Sequence, residues 1–331
     1  MALLLTEADV RQILTMPLAL DAVEQSFRYL GDGSAVLHSR QRMHIPGKSY
    51  LHYMAAGDAA DGYMGLKIYT SSRQGLRFLI PLFSAVTGDL LALVEGDFLG
   101  QMRTGAASGI ATKFLANADA STVGIIGTGS QARTQLEAVV QVRKIARVNA
   151  YGRAPQRREE FAAQMTARIG VPVRAVSSTE ETVRGADIVI TATTSTEPVL
   201  FGSWLKPGAH INAIGANFPQ KRELDDEAVS RASVIAVDSL EQSKMEAGDL
   251  IHAFGKDPGN WSRAHELAQI IVGKVQGRTN SAQVTLFKSN GIAIEDIVVA
   301  GRLYKIAREK SLGKEVEMWP DEMREARGRT V

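Results

Sequence analysis

The sequence contains no cysteine among its 331 residues. This absence excludes disulfide bonds, thiolate nucleophiles, CxxC redox motifs and cysteine-ligated zinc. The six histidines form no HxxxH or HExxH pair, so the sequence gives little support for a metal site. We therefore expect no bound metal, and chemistry that comes from an organic cofactor.

Long apolar runs and charge of one sign are also missing. No run approaches the roughly 20 residues that span a bilayer. The apolar start ends at Thr6-Glu7, which argues against a signal peptide. The 38 basic and 36 acidic residues are scattered and give a net charge of +2, without the basic stripe of a nucleic-acid binder. We expect a cytoplasmic protein that binds neither membrane nor nucleic acid.

The first third of the chain predicts two helices and then a sheet. Thr6 resembles the start of a capping box, and Gly31 is the expected C-cap of the second helix. Strands are predicted at 49–56, 63–71 and 78–86, with a turn into a fourth at 90–95. This order is typical of an antiparallel meander.

The remainder predicts a nucleotide-binding fold. A helix at 101–116 is followed by five short apolar runs, most of them separated by helical stretches. The runs are Thr122–Ile126, Arg147–Tyr151, Ile188–Ala192, Ala209–Ile214 and Val234–Val237, and a last helix covers Ile294–Lys310. This alternation predicts an α/β fold, a Rossmann-type doubly wound parallel sheet inserted in a second α+β domain.

The strongest motif is a glycine-rich turn between the strand Ser121–Ile126 and a helix. Its sequence is Gly127-Thr128-Gly129-Ser130-Gln131-Ala132. Gly127 permits a tight turn, Gly129 lets the backbone approach a pyrophosphate, and Ala132 is the third small position, where helix and strand pack closely. The amides at the helix start then hold the negative charge. The motif predicts dinucleotide binding.

The next strand end bears on the choice of cofactor. No carboxylate stands where NAD-binding proteins grip the adenosine ribose, and Arg153, Arg157 and Arg158 follow instead. Because a guanidinium pairs well with a 2′-phosphate, the sequence favours NADPH, with NADH possible. In an alternative interpretation Arg157 and Arg158 only solvate a helix start, and Arg153 alone contacts the cofactor.

Three basic residues outside this fold could serve a substrate site or have only a structural or surface role. Lys67 lies in an apolar strand, where burial requires a partner or a task, although an exposed edge lysine would mean nothing. Arg103 precedes a run of small residues at a helix start, which suits an anion site or a plain ion pair. Arg42, taken alone, would be a surface charge.

Several motifs together resemble the ornithine cyclodeaminase/mu-crystallin family over about residues 3–313. They are Met102–Ser108, Val123–Ala132 with Gln135-Leu136, Gly185–Val189, Arg222–Asp225, and Phe287–Ala293 with Glu295-Asp296. Each motif is modest, but their spaced combination is specific.

The resemblance implies a homodimer and two domains. Residues 1–117 and 301–331 would bind substrate and dimerise, and residues 118–300 would bind NAD(P). Arg42, Lys67 and Arg103 would hold the carboxylate of an amino or imino acid. The implied cofactor contacts are the glycine loop, Gly152, Arg153, Arg157, Thr193, Thr194 and Gly291, with Arg77 near the nicotinamide.

The sequence departs from the family pattern at two positions. Asn217 replaces an aspartate of the cyclodeaminases and alanine dehydrogenases, and an amide cannot act as a base. His52 stands where ornithine cyclodeaminases carry a glutamate. It could titrate near neutral pH, or it could only form a hydrogen bond across the meander.

These departures favour reduction over deamination. We expect an NAD(P)H-dependent oxidoreductase that acts on C=N bonds and reduces a small imino acid, cyclic such as pyrroline-2-carboxylate or open-chain, to the amino acid. The alternatives are an amino-acid cyclodeaminase with catalytic NAD⁺ and a non-catalytic, crystallin-like binding protein.

Overall fold

The computed structural model describes residues 1–255 and 257–318, which fold into two compact units. The first unit comprises residues 1–15, 34–100 and the described residues from 293 onward. The second comprises residues 16–33 and 101–292. Among the described residues, no helix is long and apolar enough to cross a membrane.

The first unit is built on a seven-stranded sheet, counted over the described residues, in the order β15-β1-β6-β5-β4-β3-β2. Its strands are β1 (Ala2–Leu5), β2 (Ala35–Ile45), β3 (Ser49–Asp58), β4 (Tyr63–Ser72), β5 (Gly75–Ser84), β6 (Leu90–Glu95) and β15 (Lys314–Val316). Strands β3 to β6 form the predicted antiparallel meander, and β2 extends it by one antiparallel strand. The sequence did not predict β1 or β2, since β1 is four residues long and β2 mixes polar and apolar residues without regular alternation.

Among the described residues, two helices lie wholly in the first unit, α1 (Glu7–Ile13) and α11 (Ala293–Lys310). The Thr6 hydroxyl accepts from the Asp9 amide and the Asp9 carboxylate accepts from the Thr6 amide, so the predicted capping box is present. Helix α11 packs closely on the sheet at Gly65, where an added Cβ would lie 2.7 Å from Cδ1 of Ile297. One face of the meander is therefore covered by a helix.

The second unit contains, among the described residues, an eight-stranded parallel sheet in the order β13-β12-β14-β11-β10-β7-β8-β9. The strands are β7 (Thr122–Ile126), β8 (Arg147–Tyr151), β9 (Val173–Ala175), β10 (Ile188–Thr191), β11 (His210–Ala213), β12 (Ala232–Val237), β13 (Ala264–Glu266) and β14 (Val284–Lys288). Two buried apolar clusters flank it. The predicted doubly wound fold is confirmed.

The helices of the second unit include the long α2 (Met16–Asp32) and α3, which begins at Asp97 in the first unit and ends at Leu115. The others are α4 (Ser130–Val142), α5 (Pro155–Ile169), α6 (Thr179–Val183), α7 (Asp226–Arg231), α8 (Leu240–Glu246), α9 (Gly248–Phe254) and α10 (Leu267–Ile271). Gly31 is not a C-cap, because α2 continues through it and an added Cβ would lie 2.6 Å from Cγ1 of Val272. It is a packing glycine.

The unit boundaries differ from those predicted at residues 117 and 300. Residues 16–33 and 101–117 pack with the second unit, since Gly109 of α3 lies against Leu20 of α2 and Ala138 of α4. Residues 293–300 belong to the first unit because α11 starts on its sheet. The part of the predicted domain at 319–331 lies outside the described residues. The substrate and dimer roles of the domains stay predictions.

Candidate functional site

The glycine loop has the backbone of a phosphate-binding turn. Gly127 has a φ of +117°, and an added Cβ would lie 2.3 Å from the carbonyl oxygen of Ala192, so only glycine fits without displacing the next strand end. Gly129 is the N-cap of α4 without a side-chain cap, and nothing lies within 4 Å of where its Cβ would be. The first amides of a 13-residue helix therefore face open space, as an anion site requires.

A cavity of about 540 Å³ opens in front of this loop, within the second unit. Its lining includes most of the predicted cofactor residues: Gly127, Gly129, Gly152, Arg153, Arg157, Thr193 and Thr194. In the first turn of α4, Ser130 is exposed and Gln131 is half-buried, whereas Ala132 is fully buried where the helix packs. The size of the cavity, the glycine turn and the start of α4 together fit a dinucleotide.

The three arginines after β8 are in different positions. Arg153 and Arg157 are exposed and line the cavity. Arg158 lies with its guanidinium carbon 5.7 Å from the Tyr151 ring centroid and donates to the Gly152 carbonyl at 3.3 Å. Two cations therefore border the cavity, and Arg158 has a local structural role instead.

Lys67, in the first unit, is buried. Its side chain is 2% exposed, and Nζ lies 2.6 Å from Oδ1 of Asp296 on α11 and 5.5 Å from the Phe78 ring centroid. The alternative of an exposed edge lysine is wrong, because Lys67 shares the buried face of β4 with Tyr63 and Gly65. A buried lysine with a carboxylate partner is a candidate for chemistry.

A row of side chains crosses the same sheet beside Lys67. Arg42, His52, Tyr69 and Phe78 are successive cross-strand partners on β2 to β5. His52 stacks on Tyr69 with centroids 4.3 Å apart, and Tyr69 stacks on Phe78 at 5.0 Å. We call His52, Tyr69 and Phe78 the aromatic row. It is a stacked row of rings with Arg42 next to one end and Lys67 next to the other.

His52 is 3% exposed, and burial, assisted by Arg42 and Arg40, lowers its pKa to about 4. The ring is therefore neutral near pH 7, which argues against the expectation that it titrates there. Its Nε2 lies 3.0 Å from the Ser71 hydroxyl of β4, so the structure contains the hydrogen bond across the meander that was the other expectation.

Because the pKa of His52 is lower folded than its ordinary value near 6.5, the unfolded chain binds the extra proton between about pH 6.5 and 4. Stability should therefore fall as pH falls through this window, by at most about 1.4 kcal/mol per pH unit from this group.

We expect His52→Gln to reduce the dependence of the free energy of unfolding on pH, which denaturant unfolding at pH 7, 6 and 5 measures as a slope. Ser71→Ala, which removes only the hydrogen bond, should keep the slope; equal slopes for His52→Gln and wild type would contradict the assignment. Burial lowers the pKa of His210 to about 3, and because this residue is unchanged in all three proteins it contributes equally to each slope.

The remaining predicted residues are divided between the units. In the second unit Arg103 is buried on α3, and an added Cβ on Gly291 (φ +77°) would lie 2.5 Å from one of its guanidinium nitrogens. Asn217 is half-buried in the segment after β11. In the first unit Arg77 is exposed on β5 and donates to the Leu76 carbonyl. The site roles of these residues stay predictions.

Sequence reasoning missed a set of fully buried charges in the second unit. Glu223, Asp249 and Lys288 form one hydrogen-bonded group, and Asp238 accepts from the amides of Asn290 and Gly291 at 2.7 and 2.6 Å. Burial raises the pKa of Glu223 and of Asp238. Two of these residues lie in motifs that carried the family resemblance, but a buried carboxylate looks like a surface one in sequence.

The sequence profile of the ornithine cyclodeaminase/mu-crystallin family matches residues 1–311. The chain belongs to this family. The predicted resemblance is thereby confirmed over nearly the whole length that it was expected to cover.

Members with known activities are similar to the chain. A Delta(1)-pyrroline-2-carboxylate reductase of Bacillus cereus is 38% identical over 262 residues, which cover 77% of this chain and 80% of that protein. The structure of the Thermococcus litoralis enzyme of the same name, in complex with NADH and L-proline, is 37% identical with a TM-score of 0.90 and covers 95% of this chain and all of that one. An archaeal alanine dehydrogenase dimer with bound NAD is 34% identical with a TM-score of 0.89, over 96% and 99% of the chains.

Proposed function

We propose that the protein is an NAD(P)H-dependent reductase that converts a small imino acid to the amino acid. The observation that carries the proposal is the cavity at the glycine loop, in a chain of this family whose relatives include pyrroline-2-carboxylate reductases. Asn217 in place of a carboxylate argues against the cyclodeaminase alternative, because an amide cannot deprotonate an attacking amine.

The proposed roles of the substrate residues follow the demands of C=N reduction. The bound nicotinamide supplies the hydride to the imine carbon, and the imine nitrogen must gain one proton. Arg42 and Arg103 are proposed to bind the substrate carboxylate. Lys67 is proposed to hold a proton on Nζ for the nitrogen, and its ion pair with Asp296 fixes where that Nζ lies.

The aromatic row supports a substrate with an uncharged side chain. His52 is neutral near pH 7, and the row beside Lys67 consists of uncharged rings whose faces stack on one another. A second ammonium group, as in ornithine or lysine, would meet no carboxylate in this row. An imino acid with an apolar side chain, such as pyrroline-2-carboxylate, suits this uncharged row better.

NADPH is the proposed cofactor, because Arg153 and Arg157 border the cavity that begins at the glycine loop. Arg153→Ala should raise the KM for NADPH about tenfold, as expected for a lost charge-assisted hydrogen bond of roughly 1.5 kcal/mol, and change the KM for NADH by less than about twofold. Arg174→Ala is the matched control, since Arg174 pairs with Glu181 on the surface and does not line the cavity, and both constants should stay close to wild type. Equal effects of Arg153→Ala on the two cofactors would contradict the 2′-phosphate contact.

A homodimer is also proposed, with a cytoplasmic location as the remaining expectation from sequence. The sheet of the first unit has its second face rich in apolar side chains, including Val36 at 64% and Met64 at 40% exposure. A cavity of about 700 Å³ with mostly apolar walls opens on the same face. Such a patch is typical of a protein interface, and the archaeal alanine dehydrogenase is described as a dimer.

The test of the proposed reaction is cofactor oxidation at 340 nm. Purified protein is mixed with NADPH or NADH and a panel of imines: pyrroline-2-carboxylate, piperideine-2-carboxylate, and 2-oxo acids with ammonia or methylamine. Substrate-dependent loss of absorbance supports the proposal. No oxidation across the panel, or ammonia release from ornithine or lysine without an absorbance change, would overturn it.

A further inference from the structure

A fully buried carboxylate joins the ends of two neighbouring strands in the second unit. Glu223 is 0% exposed, and both of its oxygens accept hydrogen bonds. Oε1 accepts from the Thr193 amide at 2.6 Å, and Oε2 accepts from the Gly215 amide at 2.7 Å and from the Thr191 hydroxyl at 2.9 Å. Thr191 and Thr193 lie at the end of β10, and Gly215 follows β11.

Two further buried charged residues, Asp249 and Lys288, hold the backbone at and near Glu223. Oδ1 of Asp249 accepts from the amides of Glu223 and Leu224 at 2.6 and 2.9 Å. Oδ2 of Asp249 lies 3.0 Å from Nζ of Lys288, which also donates to the carbonyl of Ala216. The end of β14 is thereby tied to the segment after β11.

The two strand ends approach each other closely at Gly215. An added Cβ on Gly215 would lie 2.2 Å from the Thr193 carbonyl oxygen and 2.5 Å from Oε1 of Glu223. Thr193 and Thr194 line the dinucleotide cavity, and Asn217 stands two residues after Gly215. One carboxylate therefore contacts the backbone of both segments.

From this geometry we infer that Glu223 is a positioning residue for the dinucleotide, fixing the Thr193–Thr194 segment at the cavity wall by accepting from the amides on both strand ends. The inference rests on the proposed cofactor site. A carboxylate is required because donors meet both oxygens, two of them backbone amides that cannot rotate away. A glutamine would turn its NH₂ group toward at least one of these N–H groups.

Asp225, two residues further on, is a matched structural carboxylate. It accepts from the amides of Gly202 and Ala228 at 2.9 and 2.8 Å and caps α7, and none of these groups lines the cavity. Asp225→Ala, which removes the acceptor of both amides, should therefore lower stability without moving the cavity wall. Glu223→Gln should lower stability and also move the cavity wall.

The experiment measures the Kd of NADPH and of NADH by the fluorescence of the bound cofactor, with Tm recorded for each variant. We expect Glu223→Gln to raise Kd about tenfold or more and to reduce the fluorescence enhancement, when measured well below its Tm. Asp225→Ala should change Kd by less than twofold despite a fall in Tm. Thr191→Val, which removes one hydroxyl donor and keeps the volume, should raise Kd about threefold.

The outcomes separate this inference from the proposed function. If wild type binds NADPH or NADH and Glu223→Gln binds it within twofold of wild type, the positioning role is wrong and the proposed function stands. If wild type binds neither dinucleotide, both fail. Should Glu223→Gln not fold, Thr191→Val decides, since an unchanged Kd there would overturn the inference.

Discussion

Lys67→Met is expected to lower kcat for imine reduction by about 10²- to 10⁴-fold, the usual contribution of a positioned proton donor. Lys67 is buried beside Phe78 and held at 2.6 Å by Asp296, so its Nζ occupies one defined place. Methionine keeps much of the volume but removes the charge and the proton. The measurement is kcat and KM for the imine that the cofactor-oxidation panel identifies.

Loss of one member of a buried ion pair also costs about 3–5 kcal/mol of stability, so activity must be separated from folding. The Kd for the dinucleotide provides this separation, because the cavity in the second unit is lined without Lys67. The Kd of Lys67→Met for the dinucleotide should stay within about threefold of the wild-type value, which corresponds to less than about 0.7 kcal/mol.

Lys305→Met is the control for removing a lysine from the first unit. Lys305 lies 3.2 Å from Asp61 and 5.3 Å from the Tyr63 ring centroid, so its neighbours resemble those of Lys67, but its side chain is 44% exposed. An exposed pair contributes about 0–1 kcal/mol, and kcat should be unchanged. If Lys67→Met kept more than a tenth of the wild-type kcat, Lys67 would not be the proton donor.

Gly127→Ala is expected to raise the Kd of the dinucleotide about 100-fold or more, equivalent to about 2.7 kcal/mol. The new Cβ would lie 2.3 Å from the Ala192 carbonyl oxygen, and a φ of +117° is strained for any L side chain. The loop must therefore move away from the end of β10, and the first amides of α4 move with it. Isothermal titration with NADPH and NADH measures the change.

Gly170→Ala controls for the backbone strain alone. Gly170 is the left-handed C-cap of α5, with a φ of +69° and nothing within 4 Å of an added Cβ. This variant should lose about 1–2 kcal/mol of stability and bind the dinucleotide as wild type does. Wild-type affinity in Gly127→Ala would show that the loop does not hold the cofactor.

The sequence alone predicted the nucleotide-binding half well because its signals are local. The glycine turn, the apolar runs at β7 and β8 and the arginines after β8 each depend on residues close together in the chain. Backbone conformation and strand burial are determined over such short distances. The same is true of the Thr6 capping box.

Several of the missed strands had weak local signals, although the five-residue β14 (Val284–Lys288) was missed as well. Strands β9 and β13 have three residues each, too few for periodicity to be recognised, and β1 has four. The compact units differ from the predicted domains because α2 and most of α3 join the second unit by close contacts at glycines such as Gly109. Neither α2 nor α3 has a local sequence feature that predicts which of the two units it joins.

The tertiary structure decided what the charged residues can do. Whether Lys67 is an edge lysine or a buried one depends on Asp296, 229 residues later in the chain. The low pKa of His52 comes from burial beside Arg42 and Arg40, and the role inferred for Glu223 comes from amides on two separate strands. The sequence by itself thus determined the family, the fold of the second unit and the place of the glycine loop. Burial and pairing were decided only when distant segments met, because the electrostatic environment of a side chain depends on neighbours in space.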